Sequence, residues 1–323
     1  MKKKILSSIL SFFLMTGFAF AKTEVILGIS AKSGSLQYTT AEDFTKTANK
    51  MCGNKCVVKF FGNSQLGNDK ELMSKLKLGS VHLALPSSMM SSIAAEAGLF
   101  DMPFIVKDRN HVRAIEKNIF WKDIHPKIEA KGYTVIGFWE NGVRHITNSK
   151  RPINKPSDLK GLKIRTPKST WRVKMFQSWG SSPTPMSFKE VFTALQTGVI
   201  DGQENPYTNI NGAKFQEVQK YLSKTGHVYT PAYLTAGKDA FAKLPKDVQQ
   251  ILKKAAEDVR GRMYKTAEED ETSLEKKLVA AGMKLNVADK AAFVKASKPI
   301  YAMFAKEVSG GQKLVDKALA LAK

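Results

Sequence analysis

The chain has 323 residues, of which 43% are hydrophobic and 25% charged, and its formal net charge is +22 at pH 7. This length suffices for two domains of ordinary size, and the composition excludes the low-complexity and disordered classes. The basic excess is mostly lysine spread along the chain, with no basic block, aromatic-interleaved patch or zinc-finger spacing. We therefore expect no nucleic-acid partner; a weak attraction for anionic solutes or lipid headgroups is the remaining role for this charge.

The first 21 residues have the three-part layout of a secretory signal peptide. Lys2–Lys4 form a basic start, an apolar stretch runs from Ile5 to Phe18, and Ala19–Ala21 supplies the small-x-small cleavage pattern. A retained membrane anchor is the alternative interpretation of this stretch. We predict a signal peptide at residues 1–21 and a mature protein that is free in the periplasm, because Lys22 offers no thiol for a lipid anchor.

Apolar segments alternate with helical periodicity after the cleavage site. Thr23–Ile29 and Val57–Phe61 are predicted to be buried strands. Between them we predict a helix that begins at Thr39 or Thr40 and buries one apolar face, formed by Ala41, Phe44 and Ala48.

Two cysteines flank a short turn in this region. Cys52 and Cys56 are separated by only three residues, and no histidine lies near them. This spacing fits neither a zinc site nor the C-x-x-C motif of thiol oxidoreductases. In an oxidising compartment we expect a local disulfide between them, which stabilises the fold modestly because its loop is short.

The same helix-start signal occurs twice in the chain. Asn68–Glu71 has the pattern of a capping box and precedes a helix that Gly79 ends, with Leu72, Met73, Leu76 and Leu78 as its apolar positions. Val81–Leu85 then reads as a short strand. Ser187–Glu190 is a second capping box, whose helix ends at Gly198 and leads into a strand at Val199–Ile200. Two similar α/β units predict mainly parallel sheets with a ligand cleft outside the strand ends.

The last third of the sequence is predicted to be helical. From Pro245 to Ala281 apolar residues follow helical spacing without another proline. One helix of roughly 35 residues would be about 50 Å long, which is enough to bridge two domains. A final helix carries Phe293, Ile300, Phe304 and Val308.

Motifs of enzymes and metal sites are missing from the sequence. There is no G-x-S-x-G elbow, H-E-x-x-H helix or Walker loop, and the five histidines lack metal-ligand spacing. We therefore expect no catalytic residue, no cofactor and no metal.

Arginine and asparagine side chains stand where predicted strands give way to loops. Arg144 follows a strand at Thr134–Trp139, Arg165 ends a short strand after Gly161, and Glu204 and Asn205 follow the strand at Ile200. Arginine suits two-point recognition of a carboxylate, and asparagine adds a neutral donor and acceptor. A lone arginine is more often a surface ion pair, but three such positions in one region favour a binding site.

The stretch from Arg144 to Pro206 resembles the signature of the DctP-type solute-binding proteins of TRAP transporters. The matching runs are G-V-R-H-I-T-N-S-K-R-P-I, D-L-K-G-L-K-I-R-T-P and S-F-K-E-V-F-T-A-L-Q-T-G-V-I-D-G-Q-E-N-P, with S-Q-L-G and F-D-M-P-F in the first half. The resemblance implies two α/β domains with a hinge and a long helix crossing both. We place these domains at residues 22–141 plus 231–270 and at residues 142–230 plus 271–323.

The resemblance also implies a function and a set of site residues. It implies capture of a small organic acid, delivery to integral membrane TRAP permease subunits, and transport driven by an ion gradient; we expect a monomer. By position, Arg165 matches the principal carboxylate-binding arginine, Arg144 the second arginine and Asn205 the ligand-contacting asparagine, and we add Glu204 from the same run. Trp171 departs from the commoner pattern and is expected either to line the pocket or to pack on its own helix.

Two other functions remain open at this point. A periplasmic enzyme acting on an organic acid is possible on the same scaffold, since fold does not fix function. A basic protein that associates with anionic surfaces is the third interpretation. The sequence does not identify which organic acid is bound.

Overall fold

The structure is a computed structural model that describes residues 22–322. The predicted signal peptide, residues 1–21, lies outside the described residues. Within residues 22–322, no helix combines the length and the apolar character needed to cross a bilayer.

All nine strands of the described chain belong to one sheet. The strands are β1 (Thr23–Gly28), β2 (Cys56–Phe61), β3 (Leu83–Ala84), β4 (Tyr133–Asn148), β5 (Lys163–Thr166), β6 (Ser182–Pro185), β7 (Gly202–Asn205), β8 (Tyr221–Gly237) and β9 (Lys284–Val287). Eight of them follow the order β2-β1-β3-β8-β4-β7-β5-β6, and β9 pairs with β8. Parallel pairs lie at both ends of this order, and the long β4 and β8 pair antiparallel between them.

Helices cover this sheet and pack its apolar side chains into three clusters of buried residues. A π-helical segment at Glu116–Ile124 joins α4 to α5. The α-helices are α1 (Leu36–Cys52), α2 (Asp69–Leu78), α3 (Met90–Ile93), α4 (Arg109–Ile115), α5 (His125–Glu129), α6 (Thr170–Ser178), α7 (Val191–Gln196), α8 (Tyr207–Gly212), α9 (Lys238–Ala242), α10 (Lys246–Asp258), α11 (Arg260–Ala280), α12 (Lys290–Glu307) and α13 (Gly311–Ala320).

The first helix begins earlier than the sequence suggested. Ser35, and not Thr39 or Thr40, is the cap residue of α1, and its hydroxyl accepts a hydrogen bond from the backbone N–H of Tyr38. The predicted apolar face of α1 is buried. At the end of the helix the structure contains the expected disulfide between Cys52 and Cys56.

Hydrogen bonds of both predicted capping boxes are present in the structure. At the start of α2, the Asn68 side chain and the Glu71 carboxylate satisfy each other's backbone N–H groups, and Gly79 ends the helix in the left-handed region. Leu78 is 81% exposed, so its assignment to the buried face was wrong. At the second box the Glu190 carboxylate accepts a hydrogen bond from the backbone N–H of Ser187 at 3.2 Å.

The strand after the second box begins at Gly202 and not at Val199. Val199 is 58% exposed, so this turn residue does not belong to the buried sheet. Gly202 lies against the neighbouring strand, and a Cβ atom there would come within 2.2 Å of the backbone oxygen of Thr147. The close approach of β7 to β4 therefore depends on glycine at this position.

The predicted long helix is interrupted at Val259, which separates α10 from α11. Helical hydrogen bonds continue across the break, from Val259 N–H to Ala255 O at 3.2 Å and from Met263 N–H to Val259 O at 2.9 Å. The two ends of α11 enter different cores: Met263 packs in the cluster around β1 and α1, and Leu278 packs in the cluster around α7 and α8. This arrangement joins the two α/β halves of the fold, as the resemblance implied.

Candidate functional site

A small cavity of about 70 Å³ lies where the carboxyl ends of several strands meet helix starts. This volume suits a solute of a few carbon atoms and not a polymer. Its polar lining comes from far-apart parts of the sequence that the sheet brings together, namely Ser30, Gln37, Asn68, Asp69, Lys70, Ser87, Ser88, Asn141, Arg144, Arg165, Lys168, Ser187, Asn205 and Asn209.

Arg165 lies in this cavity as a buried cation. It occupies β5, whose register pairs it with Gln203 of β7 and Thr184 of β6, so that its backbone is fixed on both sides. Its side chain is 3% exposed, and its Nε and Nη2 donate to the backbone oxygen of Met186 at 3.2 and 2.8 Å. It makes no ion pair within residues 22–322. Burial, and then the neighbouring guanidinium of Arg144, lower the pKa of Arg165 to about 9, which leaves it charged at neutral pH.

Arg144 lies inside β4 and not at a strand end, because the predicted strand at Thr134–Trp139 continues to Asn148. The strand register shifts between Glu140 and Gly142, and Gly142 has a φ of +128°. This irregularity interrupts the alternation of side chains, so the sequence pattern does not show that the strand continues. Arg144 Nε donates to Glu204 Oε2 at 2.5 Å, and Nη2 donates to Asn205 Oδ1 at 3.1 Å. Its Nη1 makes no hydrogen bond with residues 22–322, and the residue lines the cavity.

Glu204 does not contact the cavity, in contrast to our expectation, because three side chains already surround its carboxylate. Besides Arg144, it accepts from Arg172 Nη1 at 2.6 Å and lies 3.1 Å from His227 Nε2, and it is fully buried. Burial alone would raise the pKa of Glu204, but Arg144 and Arg172 outweigh it and hold the pKa well below its usual range. Glu204 therefore fixes Arg144 in place and is not among the residues that line the cavity.

Arg172 connects this cluster to a second carboxylate. Its Nη2 donates to Asp101 Oδ1 at 2.8 Å, and Asp101 Oδ2 accepts from the Ser169 hydroxyl at 2.7 Å. The buried cluster thus holds three guanidinium groups, those of Arg144, Arg165 and Arg172, against two carboxylates. Among these five groups one positive charge remains, and it belongs to Arg165, which borders the cavity together with the Asp69 carboxyl group. Sequence analysis assigned no role to Arg172 or Asp101, although Asp101 lies in the run F-D-M-P-F that resembles the family.

Three asparagine side chains line the cavity next to Arg144. Asn205 Oδ1 accepts from Arg144 at 3.1 Å and from Asn209 Nδ2 at 3.2 Å. Asn209 Nδ2 also donates to Asn141 Oδ1 at 3.1 Å. Of these, the sequence indicated only Asn205, while Asn141 and Asn209 were missed because asparagine is common in loops.

Trp171 is absent from the cavity lining, so the structure supports packing for it over a place in the pocket. It is 3% exposed in α6, and its ring lies 5.1 Å from that of Phe304. Its other face meets Gly98, where a Cβ atom would approach the indole Cδ1 to 2.3 Å. The cavity lining instead includes Asp69, whose Oδ1 accepts a hydrogen bond from the Ser30 hydroxyl at 2.5 Å and whose pKa is raised by burial.

A metal site is not apparent in the described part of the chain. Within residues 22–322, no group of three or more histidine, cysteine or acidic side chains is placed to hold an ion. Apart from Asp69, the polar lining consists of guanidinium, ammonium, amide and hydroxyl groups, which can bind an anion with hydrogen bonds.

A mixed α/β fold and a cavity bordered by Arg165, which makes no ion pair within residues 22–322, are features of the class of solute-binding proteins. The family model described as bacterial extracellular solute-binding protein, family 7 (DctP) matches residues 27–307. A solute-binding protein of Verminephrobacter eiseniae is 38% identical over 291 residues, which cover 90% of this chain and 87% of that protein. The chain belongs to this family, as the resemblance in its sequence indicated.

Solved structures have the same fold. A TRAP periplasmic solute-binding protein from a Polaromonas species, bound to D-erythronate, is 34% identical with a TM-score of 0.87, covering 93% of this chain and 99% of that one. Another from Sulfurospirillum deleyianum, with bound succinate, is 31% identical with a TM-score of 0.88, covering 94% of this chain and all of that one.

Proposed function

We propose that this protein captures a small organic acid in the periplasm and delivers it to the membrane permease subunits of a TRAP-type transporter. The observation that carries the proposal is Arg165, a buried guanidinium that borders a cavity and has no carboxylate partner within residues 22–322. A buried charge is stable only when it is paired, so an anionic ligand supplies the missing partner. The carboxylates in two related structures, D-erythronate and succinate, agree with this chemistry.

A screen of organic acids with a matched pair of variants tests the proposal. At 100 times its dissociation constant a ligand adds about 2.7 kcal/mol of stability, which thermal unfolding detects. For the best acid, Arg165→Ala should weaken binding by about 2–5 kcal/mol, while Arg262→Ala, which removes an exposed pair with Asp43, should leave it unchanged. Binding that survives Arg165→Ala in a folded protein would remove the basis of the proposal. Conversion of the acid during the measurement would favour an enzyme.

We further propose that the ligand closes the cleft between two domains, residues 22–141 plus 231–270 and residues 142–230 plus 271–323. The support is that α11 packs in the cores of both halves, and that the cavity wall includes Asp69 from one half and Arg165 from the other. A shared element of this kind suits hinge bending. Small-angle scattering should show a smaller radius of gyration at ligand saturation, and an unchanged radius would argue against closure.

A further inference from the structure

Four side chains outside the ligand cavity form one cluster, which we call the Arg109 cluster. Arg109 Nε and Nη2 donate to the two carboxylate oxygens of Glu140 at 3.0 and 2.9 Å. Nη2 also lies 3.0 Å from Glu271 Oε2 and donates to the backbone oxygen of Ala267 at 3.3 Å. The Tyr229 hydroxyl donates to Glu140 Oε2 at 3.3 Å. None of these residues lines the ligand cavity.

The Arg109 cluster connects the segments that run between the two proposed halves of the molecule. With the proposed boundaries the chain passes between the halves three times, after residues 141, 230 and 270. Glu140 belongs to β4, Tyr229 to β8 and Glu271 to α11, and each lies within two residues of one of these passages. The register of β4 against β8 also shifts here, between Glu140 and Gly142. Closure of the cleft would therefore bend the molecule at this cluster.

The contacts of the cluster depend on how these segments are placed relative to one another. Glu140 is 1% exposed, and its backbone N–H donates to the sulfur of Met263 in α11 at 3.0 Å. A buried carboxylate needs its counter-ion, and the planar guanidinium of Arg109 offers donors in fixed directions. Arg109 therefore contacts Glu140 and α11 together only over a narrow range of positions, and rotation of one half would lengthen some of these contacts.

The arrangement that these contacts favour is one in which both halves surround the cavity. Asp69 of one half and Arg165 of the other line it together. A ligand there is contacted from both sides, whereas separation of the halves removes one wall. When only a fraction of the protein has the binding-competent arrangement, the apparent dissociation constant is the intrinsic constant divided by that fraction. Loss of contacts in the Arg109 cluster should therefore weaken binding without any change at the ligand.

We propose that Arg109 is a positioning residue for ligand capture, which holds β4, β8 and α11 in the binding-competent arrangement and sets the affinity without touching the ligand. This inference rests on the proposed capture and cleft closure, and it specifies the side chains that control the closure. A change in the population of one arrangement multiplies the dissociation constants of all ligands by the same factor. A distorted cavity would instead weaken each ligand by an amount that depends on its own contacts.

The experiment compares Arg109→Lys with Arg113→Lys in the mature protein. Lysine keeps the charge of Arg109 but lacks the fork that reaches Glu140 and α11 together. Arg113, one turn further along α4, is exposed and lies over the ring of Tyr264, where lysine can replace it. Isothermal titration uses at least two acids that bind the wild type, starting with D-erythronate, succinate and galactonate. In Arg109→Lys every acid should bind at least about fivefold more weakly, with factors that agree within about twofold. Arg113→Lys should keep wild-type affinities.

Small-angle scattering adds a readout of the arrangement itself. At ligand saturation the radius of gyration of Arg109→Lys should equal that of the wild type, because bound ligand restores the same closed arrangement. A saturated variant that stays larger than the saturated wild type would overturn the inference, since Arg109 would then be needed to form the arrangement and not only to populate it.

The remaining outcomes separate this inference from the function on which it rests. Wild-type affinity in Arg109→Lys, or losses that differ by more than about threefold among acids, would overturn the inference and leave acid capture intact. If Arg109→Lys does not fold, Glu271→Ala decides, with Glu268→Ala as its control. Because the Glu271 side chain is 42% exposed, its removal should weaken all acids by a common factor of only about two to five, and unchanged binding would overturn the inference. A wild-type radius that ligand does not change would remove cleft closure and this inference with it, and absence of binding by the wild type would overturn the proposed function itself.

Discussion

Arg144 and Glu204 form a buried ion pair between neighbouring antiparallel strands, with Arg144 Nε 2.5 Å from Glu204 Oε2 and neither residue more than 2% exposed. The register sets Ile146 of β4 opposite Glu204 of β7, so Arg144 reaches the carboxylate diagonally across the strand pair. Arg172 approaches the same carboxylate at 2.6 Å. One acidic side chain therefore pairs with two arginines, and the third, Arg165, makes no ion pair within residues 22–322.

Glu204→Gln should destabilise the protein strongly. The substitution preserves shape but leaves two buried guanidinium groups with only the Asp101 carboxylate, and breaking a buried pair costs about 3–5 kcal/mol. Urea unfolding at pH 7 measures the change. Glu307→Gln is the control, because the pair of Glu307 with Lys174 is partly exposed and contributes about 0–1 kcal/mol. A Glu204→Gln protein within about 1 kcal/mol of wild type would mean that the carboxylate is not the counter-ion of this cluster.

Arg165→Lys should bind the screened acid at least about tenfold more weakly than wild type while it stays folded. An ammonium group keeps the charge but lacks the planar fork that meets both carboxylate oxygens. Stability should change little, since Arg165 makes hydrogen bonds only to the backbone oxygen of Met186 within residues 22–322. Isothermal titration and urea unfolding on the same preparation distinguish the two effects. Wild-type affinity in this variant would show that charge alone is recognised.

The residues that could be predicted from the sequence are those whose roles depend on local context. Asn68 and Glu71 lie three positions apart, and their reciprocal hydrogen bonds need only the first turn of a helix. Arg165 was predicted at the end of a short strand, and it lies in β5, within a run that resembles a known family. In such cases the neighbouring sequence already contains the physical cause of the structure.

The residues that were missed depend on partners far away in the chain. Arg172 pairs with Asp101, 71 positions away in the sequence, and with Glu204, 32 positions away. No local sequence pattern predicts contacts over such separations. The continuation of β4 past Trp139 was missed because Gly142 reads as a turn in sequence, whereas in the sheet it forms an irregularity inside a strand. The place of Trp171 was undecided because an indole suits both a core and a pocket.

Trp171→Ala should destabilise the fold without changing ligand affinity. The ring fills the space between Gly98 and Phe304, and removing a buried tryptophan costs about 3–5 kcal/mol. Gly98→Ala should act in the same direction, because its new methyl group would press on the indole. Thermal unfolding gives the stabilities, and titration below the unfolding range gives the affinity. A tenfold loss of affinity in a folded Trp171→Ala protein would place the indole at the ligand after all.

His227 should make the protein less stable as the pH falls from about 6.5 to 4. Burial lowers the pKa of His227 to about 4, although Glu204 opposes the shift, whereas in the unfolded chain the value is about 6.5. The unfolded state therefore binds more protons in this window, and the free energy of unfolding decreases on acidification. The shift corresponds to about 3 kcal/mol at most.

His227→Gln should flatten this part of the pH profile, because glutamine does not titrate and its amide can still donate to Glu204. Urea midpoints for both proteins at pH 7.5, 6, 5 and 4 provide the comparison. Groups that do not interact with His227 cancel in the difference, whereas the buried His145 cancels only in part, because its pKa is lowered first by burial and then by the charge of His227. Parallel profiles for wild type and His227→Gln would show that the imidazole is not held neutral by its surroundings.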